Sequence, residues 1–126
     1  PEKITDRIKS LEDACNALGI KIDDVLHSAH SSYLEKHINS INAYSMLIVI
    51  TEALNEGWQP NWGNRNETKY YPWFDMSAAS GCAFGDYDYW YSDSHVGSRL
   101  CFKTRELAEY AGRQFTELYK TFFIIK

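Results

Sequence analysis

Eleven of the nineteen aromatic residues, all four tryptophans among them, lie between Trp58 and Tyr91. The densest part is "FGDYDYWYSD", Phe84 to Asp93, which sets five rings among three carboxylates. Alternation with a period of two puts Tyr87, Tyr89 and Tyr91 on one face of a strand, expected to pack as core against a helix with Leu100 and Phe102, and Phe84, Asp86, Asp88 and Trp90 on the other. Three short strands offer roughly nine inward positions on one face, and aliphatic residues compete for them, so both faces of this sheet must carry rings. Turn residues frame the strands. Pro60, Gly63 and the asparagines of "QPNWGNRNE" predict a loop or hairpin, followed by a first strand that contains Pro72. Pro72 has no N–H for a ladder, which places that strand at an edge or next to a bulge. A second strand is expected over Cys82 to Tyr91 and a third over Ser98 to Lys103, with the turn "SDSHVG" between them.

Both flanks of the aromatic stretch change to a helical period. Ile4, Ile8, Leu11, Cys15 and Leu18 form one stripe, with Thr5 as its cap and Gly19 as its stop. Ile20 to Ser40 is weaker, and Asp23 is expected to cap a short helix through Val25 and Leu26. Ile41 to Glu56 is apolar nearly all round and so is the most buried helix, closed by a left-handed Gly57. Thr104 caps a last helix with the stripe Leu107, Ala111, Phe115, Leu118, Phe122 and Ile125. The fold class that follows is α+β in a single domain, 1–126. It comprises a helical part (1–57), an aromatic-rich three- to four-stranded antiparallel meander (58–103), and a C-terminal helix packed on the sheet (104–126).

Composition narrows the function classes. The chain has 126 residues, enough for one core without staples, and its 44% hydrophobic and 24% charged residues are ordinary for a globular protein. No apolar run nears the roughly 20 residues of a membrane span, so no membrane partner is expected. Cys15, Cys82 and Cys101 are odd in number and far apart, which fits neither zinc nor a disulfide framework and suits a reducing cytoplasmic setting. The net charge of −4 is uneven, with five Lys/Arg against nine Asp/Glu up to residue 57 and eight of each after it. No basic stripe for broad phosphate-backbone binding is visible.

The familiar catalytic patterns fail on spacing. Asp86, Asp88 and Asp93 do not make a calcium loop, because the positions that need Gly and Glu hold Tyr91 and Gly97. His27, His30 and His37 are spread too far along a helix for one metal shell, and His95 falls in a turn. Cys82, Cys101 and Ser80 lack a nucleophile setting, and Gly81 and Gly85 lack the context of a phosphate loop. Asn66-Glu67-Thr68 is a glycosylation acceptor only in a secreted eukaryotic protein. No catalytic residue, metal or cofactor is implied. The bland reading of the carboxylates is pairing across strands, Asp86 and Asp88 facing Arg99 and Lys103, with Trp90 over Arg99.

"ALNEGWQPNWGNRNETKYYPWFDM", Ala53 to Met76, and "VGSRLCFKTRELAEYAGRQFTELYK", Val96 to Lys120, together with "RIKSLEDACNALGI" near the start, carry a resemblance. The chain resembles a family of small proteins of gut Bacteroidetes and of their phages and prophage-like elements. The resemblance implies a cytoplasmic bacterial or phage protein and brings no established activity or catalytic residue with it.

The expectation is a non-catalytic binding or assembly module, meeting a protein partner or a second copy of itself through the aromatic sheet face. Its candidate surface comprises Trp62, Arg65, Lys69, Trp73, Asp86, Asp88, Trp90, Arg99 and Lys103. The alternative is a single-stranded nucleic-acid binder, stacking bases on Trp62, Trp73 and Trp90 and holding phosphates with Arg65, Lys69, Arg99 and Lys103. A weaker one is a small hydrolase or metal-dependent enzyme using Asp86 and Asp88.

Overall fold

A computed structural model describes residues 2–76, 83–92 and 94–125, and the backbone alone of Ala83, Asp86 and Trp90. Ser80, Gly81, Cys82 and Asp93, named above as candidates, lie outside the described residues. The N-terminal stripe is two helices, α1 (Ile4–Arg7) and α2 (Leu11–Leu18), rather than one. Ser10 causes the break: its hydroxyl accepts the N–H of Asp13 at 3.1 Å while Asp13 accepts that of Lys9, a reciprocal cap that starts a new helix. The carbonyls freed at Ile8 and Lys9 are taken by Tyr110 and Gln114 from the far end of the chain. Lys3, with Asp6, caps α1 where Thr5 was expected. Gly19 ends α2 with φ 69° as anticipated. A 3-10 turn, Ile22–Asp24, and a single turn α3 (Ser32–Glu35) cross the weak segment, where Val25 is buried and Leu26 exposed.

The longest helix among the described residues, α4 (Ile38–Asn55), starts three residues before the expected Ile41. Leu47, Ile50 and Leu54 are almost fully buried in the core, each worth roughly 1.5–3 kcal/mol of apolar transfer. Its left-handed closing residue is Glu56, φ 51°, followed by Gly57 at φ 88°.

The sheet comprises β1 (Lys69–Asp75) and β2 (Ala83–Trp90), antiparallel, plus one bridge in which Tyr70 and Phe102 exchange both backbone hydrogen bonds. Three antiparallel segments are present, but their order differs from a simple meander, because the third lies beside β1 rather than β2. Pro72 explains why the third segment is so short. Tyr70 and Pro72 direct their backbone groups to the same side of β1, and the next bond on that side needs an N–H that Pro72 lacks. Asn55 supports the other side of this segment: its side-chain amide donates to the Cys101 carbonyl at 2.9 Å and accepts the Lys103 N–H at 3.1 Å. The bridge at Phe102 is thus flanked by a real strand and by an amide that imitates one.

The last helical stripe is also divided, into α5 (Arg105–Gln114) and α6 (Thr116–Phe123), at Phe115. Thr104 caps α5 as expected, its hydroxyl accepting the Leu107 N–H at 3.2 Å. Phe115 turns into the core, and the Thr116 hydroxyl takes the Gly112 carbonyl at 2.6 Å, a bond that bends helices. The bend lets α5 lie on the sheet while α6 lies along α4. Helices therefore pack on an antiparallel sheet, an α+β fold. No helix among the described residues is long and apolar enough to cross a membrane.

Candidate functional site

Gly85 sets the geometry of the aromatic sheet. Trp73 pairs with Asp86, but Phe74 pairs with Phe84, so Gly85 is an extra residue in β2. This bulge overturns strict alternation. Phe84 leaves the face of Asp86 and joins Tyr87 and Tyr89, packing edge-on to Phe74 beneath α5. A side chain at Gly85 would collide with the Trp73 ring, its Cβ only 2.5 Å from the nearest ring carbon. The indole lies over that vacancy and still shows 51% of its surface to solvent.

On the helix-facing side four tyrosines form a ladder. Tyr70 lies 5.8 Å from Tyr87 and 6.1 Å from Tyr89, and Tyr89 lies 5.8 Å from Tyr91. The guanidinium of Arg105, at the start of α5, sits 5.6 Å above Tyr87. The helix covers only that end. Tyr89 and Tyr91 project beyond it, 44% and 48% exposed, so the expectation that Tyr87, Tyr89 and Tyr91 form core holds for neither of the last two.

The outer edge of β2 is blocked at the same place. Tyr70 spends its backbone groups on Phe102, so the opposite residue, Tyr89, directs its own away from β1. The Tyr89 N–H is taken at 2.8 Å by one oxygen of Asp88, whose other oxygen accepts the Tyr71 hydroxyl at 3.0 Å. Asp88 thus guards the edge against strand addition.

The sequence-predicted surface is only partly assembled. Lys69 is almost fully buried: its ammonium donates to the Asn64 and Tyr91 carbonyls, pairs with Glu67 at 3.6 Å and lies 5.1 Å from the Trp62 ring. It pins the loop before β1 to the end of β2 and is not available to phosphate. Trp62 is half-buried and donates to the Ser98 hydroxyl. Among the described residues Lys103 pairs with Glu56 rather than with Asp88, and no strand pairing brings Arg99 to β2. Arg65 and Arg99 are exposed in loops. Asp86 and Trp90 are placed by their backbones alone, opposite Trp73 and Lys69.

Sequence reasoning missed Asn55 and a cleft of about 410 Å3 beside it. Glu52 and Thr51 from α4, Trp58 and Gln59 from the following loop, and Arg99 line it. The only advance signal was a run of polar residues at the end of an otherwise apolar helix. Among the described residues no three metal-ligating side chains converge. Cys101 is buried against backbone, and loss of solvent pushes its thiol up to about 11, which removes it as a nucleophile near neutrality. The chain matches no family model, no curated protein and no solved structure.

Proposed function

We propose that the protein is a non-catalytic binding or assembly module that meets a protein partner, or a second copy of itself, through the open end of its aromatic sheet. The observation that carries this reading is the ladder Tyr70–Tyr87–Tyr89–Tyr91, of which the last two rings are left outside α5. Tyrosine supplies a large contact area at small cost in conformational entropy and keeps a polar tip for water, which suits a surface that is wet when alone and dry when engaged. Contact is through side chains, because Asp88 occupies the Tyr89 N–H that an added strand would need. Arg105 at one end of the ladder supplies a charged rim.

A photo-reactive phenylalanine analogue placed at Tyr89 or Tyr91 tests this in the producing cell. Protein adducts of discrete mass are expected from both positions and none from the exposed control position Asn16, on α2. Equal labelling from all three positions would refute the proposal. So would adducts made only of nucleic acid, supported by salt-sensitive quenching of tryptophan fluorescence by oligonucleotides.

A further inference from the structure

The cleft beside α4 carries one carboxylate, Glu52, and one guanidinium, Arg99, both exposed. Neither takes part in an ion pair among the described residues. The half-buried Trp58 lines the same cleft. Thr51 contributes to the same lining from α4; it is 2% exposed, and its hydroxyl has no hydrogen-bonding partner among the described residues. A helical threonine usually returns its hydroxyl to a carbonyl one turn back, and Thr51 is an exception to that habit at the wall of the cleft. Asn55, by contrast, is committed to the backbone at Cys101 and Lys103.

We infer that this cleft binds a free α-amino acid with an apolar side chain. The carboxylate would meet Arg99, the ammonium Glu52, and the side chain Trp58. Charge decides between ligand classes. A neutral sugar of similar size would strip water from both Glu52 and Arg99 and return no opposite charge to either. A phosphate would meet one cation and one opposing carboxylate. A zwitterion compensates both, and guanidinium with carboxylate is the stronger, two-pronged pairing. The volume of about 410 Å3 lies within the small-molecule range of roughly 300–1,000 Å3. This inference is independent of the tyrosine ladder.

The test is a titration of the intact chain with the common L-amino acids, followed by the indole N–H resonance of Trp58 and repeated with two derivatives of the best binder. The primary amide lacks the carboxylate and the N-acetyl form lacks the ammonium. An apolar amino acid is expected to shift the resonance with saturation. Arg99→Gln should weaken the parent amino acid by about tenfold or more while leaving the already weaker amide unchanged. Glu52→Gln should do the same for the parent against the N-acetyl form. Both side chains are exposed, and an unchanged thermal melt certifies the variants as folded. The inference is overturned if no amino acid shifts Trp58 at about 10 mM, far above a useful affinity. It is equally overturned if both variants bind like the parent protein, or if a neutral monosaccharide binds as well as any amino acid.

Discussion

Asn55 does for the third strand what a neighbouring strand would otherwise do. Its amide holds the Cys101 carbonyl and the Lys103 N–H inside the protein, and removal leaves both without that partner. An orphaned buried polar group costs about 1–3 kcal/mol, so Asn55→Ala is expected to lower stability by at least about 2 kcal/mol. Urea unfolding measures this, with a lowered midpoint and little change of slope. Cys101 gives a second expectation at this scale. Burial raises its thiol from the ordinary 9.0 to about 11 in the folded protein, whereas the unfolded chain ionises it at the ordinary value. Below that value both states hold the proton and stability does not depend on this group. Between about pH 9 and 11 only the unfolded state loses the proton, so stability falls as pH rises. Unfolding free energies measured across this interval should show the decline, and Cys101→Ala should flatten it. Burial also raises Cys15 and, more strongly, Tyr119, so a residual slope is expected in that variant.

At the scale of elements, the joints rather than the stripes distinguish structure from sequence. The helical faces around Cys15, Leu47 and Leu107 were legible because apolar spacing is a local property. The break at Ser10 was legible in principle, since Ser10 and Asp13 have the spacing of a reciprocal cap, yet a continuous stripe outweighed it. Gly85 likewise announced its bulge, as an isolated glycine in a strand does. The Phe115 break and the partner of the third strand were not legible, because each depends on contacts far away in the chain. Gly112 shows how tightly α5 meets the sheet. A Cβ there would lie 2.3 Å from the Phe84 ring and 2.9 Å from the Pro72 Cβ. Gly112→Ala would gain about 1 kcal/mol of helix propensity, but overpacking against a ring and a proline costs about 1–3 kcal/mol. A net loss of stability is expected, up to about 2 kcal/mol. Thermal melting checks the sign, and Ala at exposed Asn16, on α2, serves as the control.

For the whole molecule, the fold divides its rings into two populations. The helices cover Phe74, Phe102 and Tyr119, Tyr71 is buried on the opposite face of the sheet, and Trp73, Tyr89 and Tyr91 remain exposed. The sequence marked the aromatic stretch as unusual and placed the candidate contact surface on its outer face. It marked the start of α5 at Thr104 but had no means of showing which part of the sheet that start would lie over, and that placement decides which tyrosines remain open. Nor could it separate Arg65 and Arg99, which make no ion pair among the described residues, from buried Lys69 and half-buried Lys103, which pair with Glu67 and Glu56. An open aromatic end requires the division of the rings into covered and exposed ones. Hydroxyl-radical footprinting of the purified chain at low concentration, read by mass spectrometry, measures it residue by residue. Fast modification of Trp73, Tyr89 and Tyr91 and strong protection of Tyr71 and Tyr119 are the predicted result; Tyr89 and Tyr91 as protected as Tyr119 would contradict an open aromatic end.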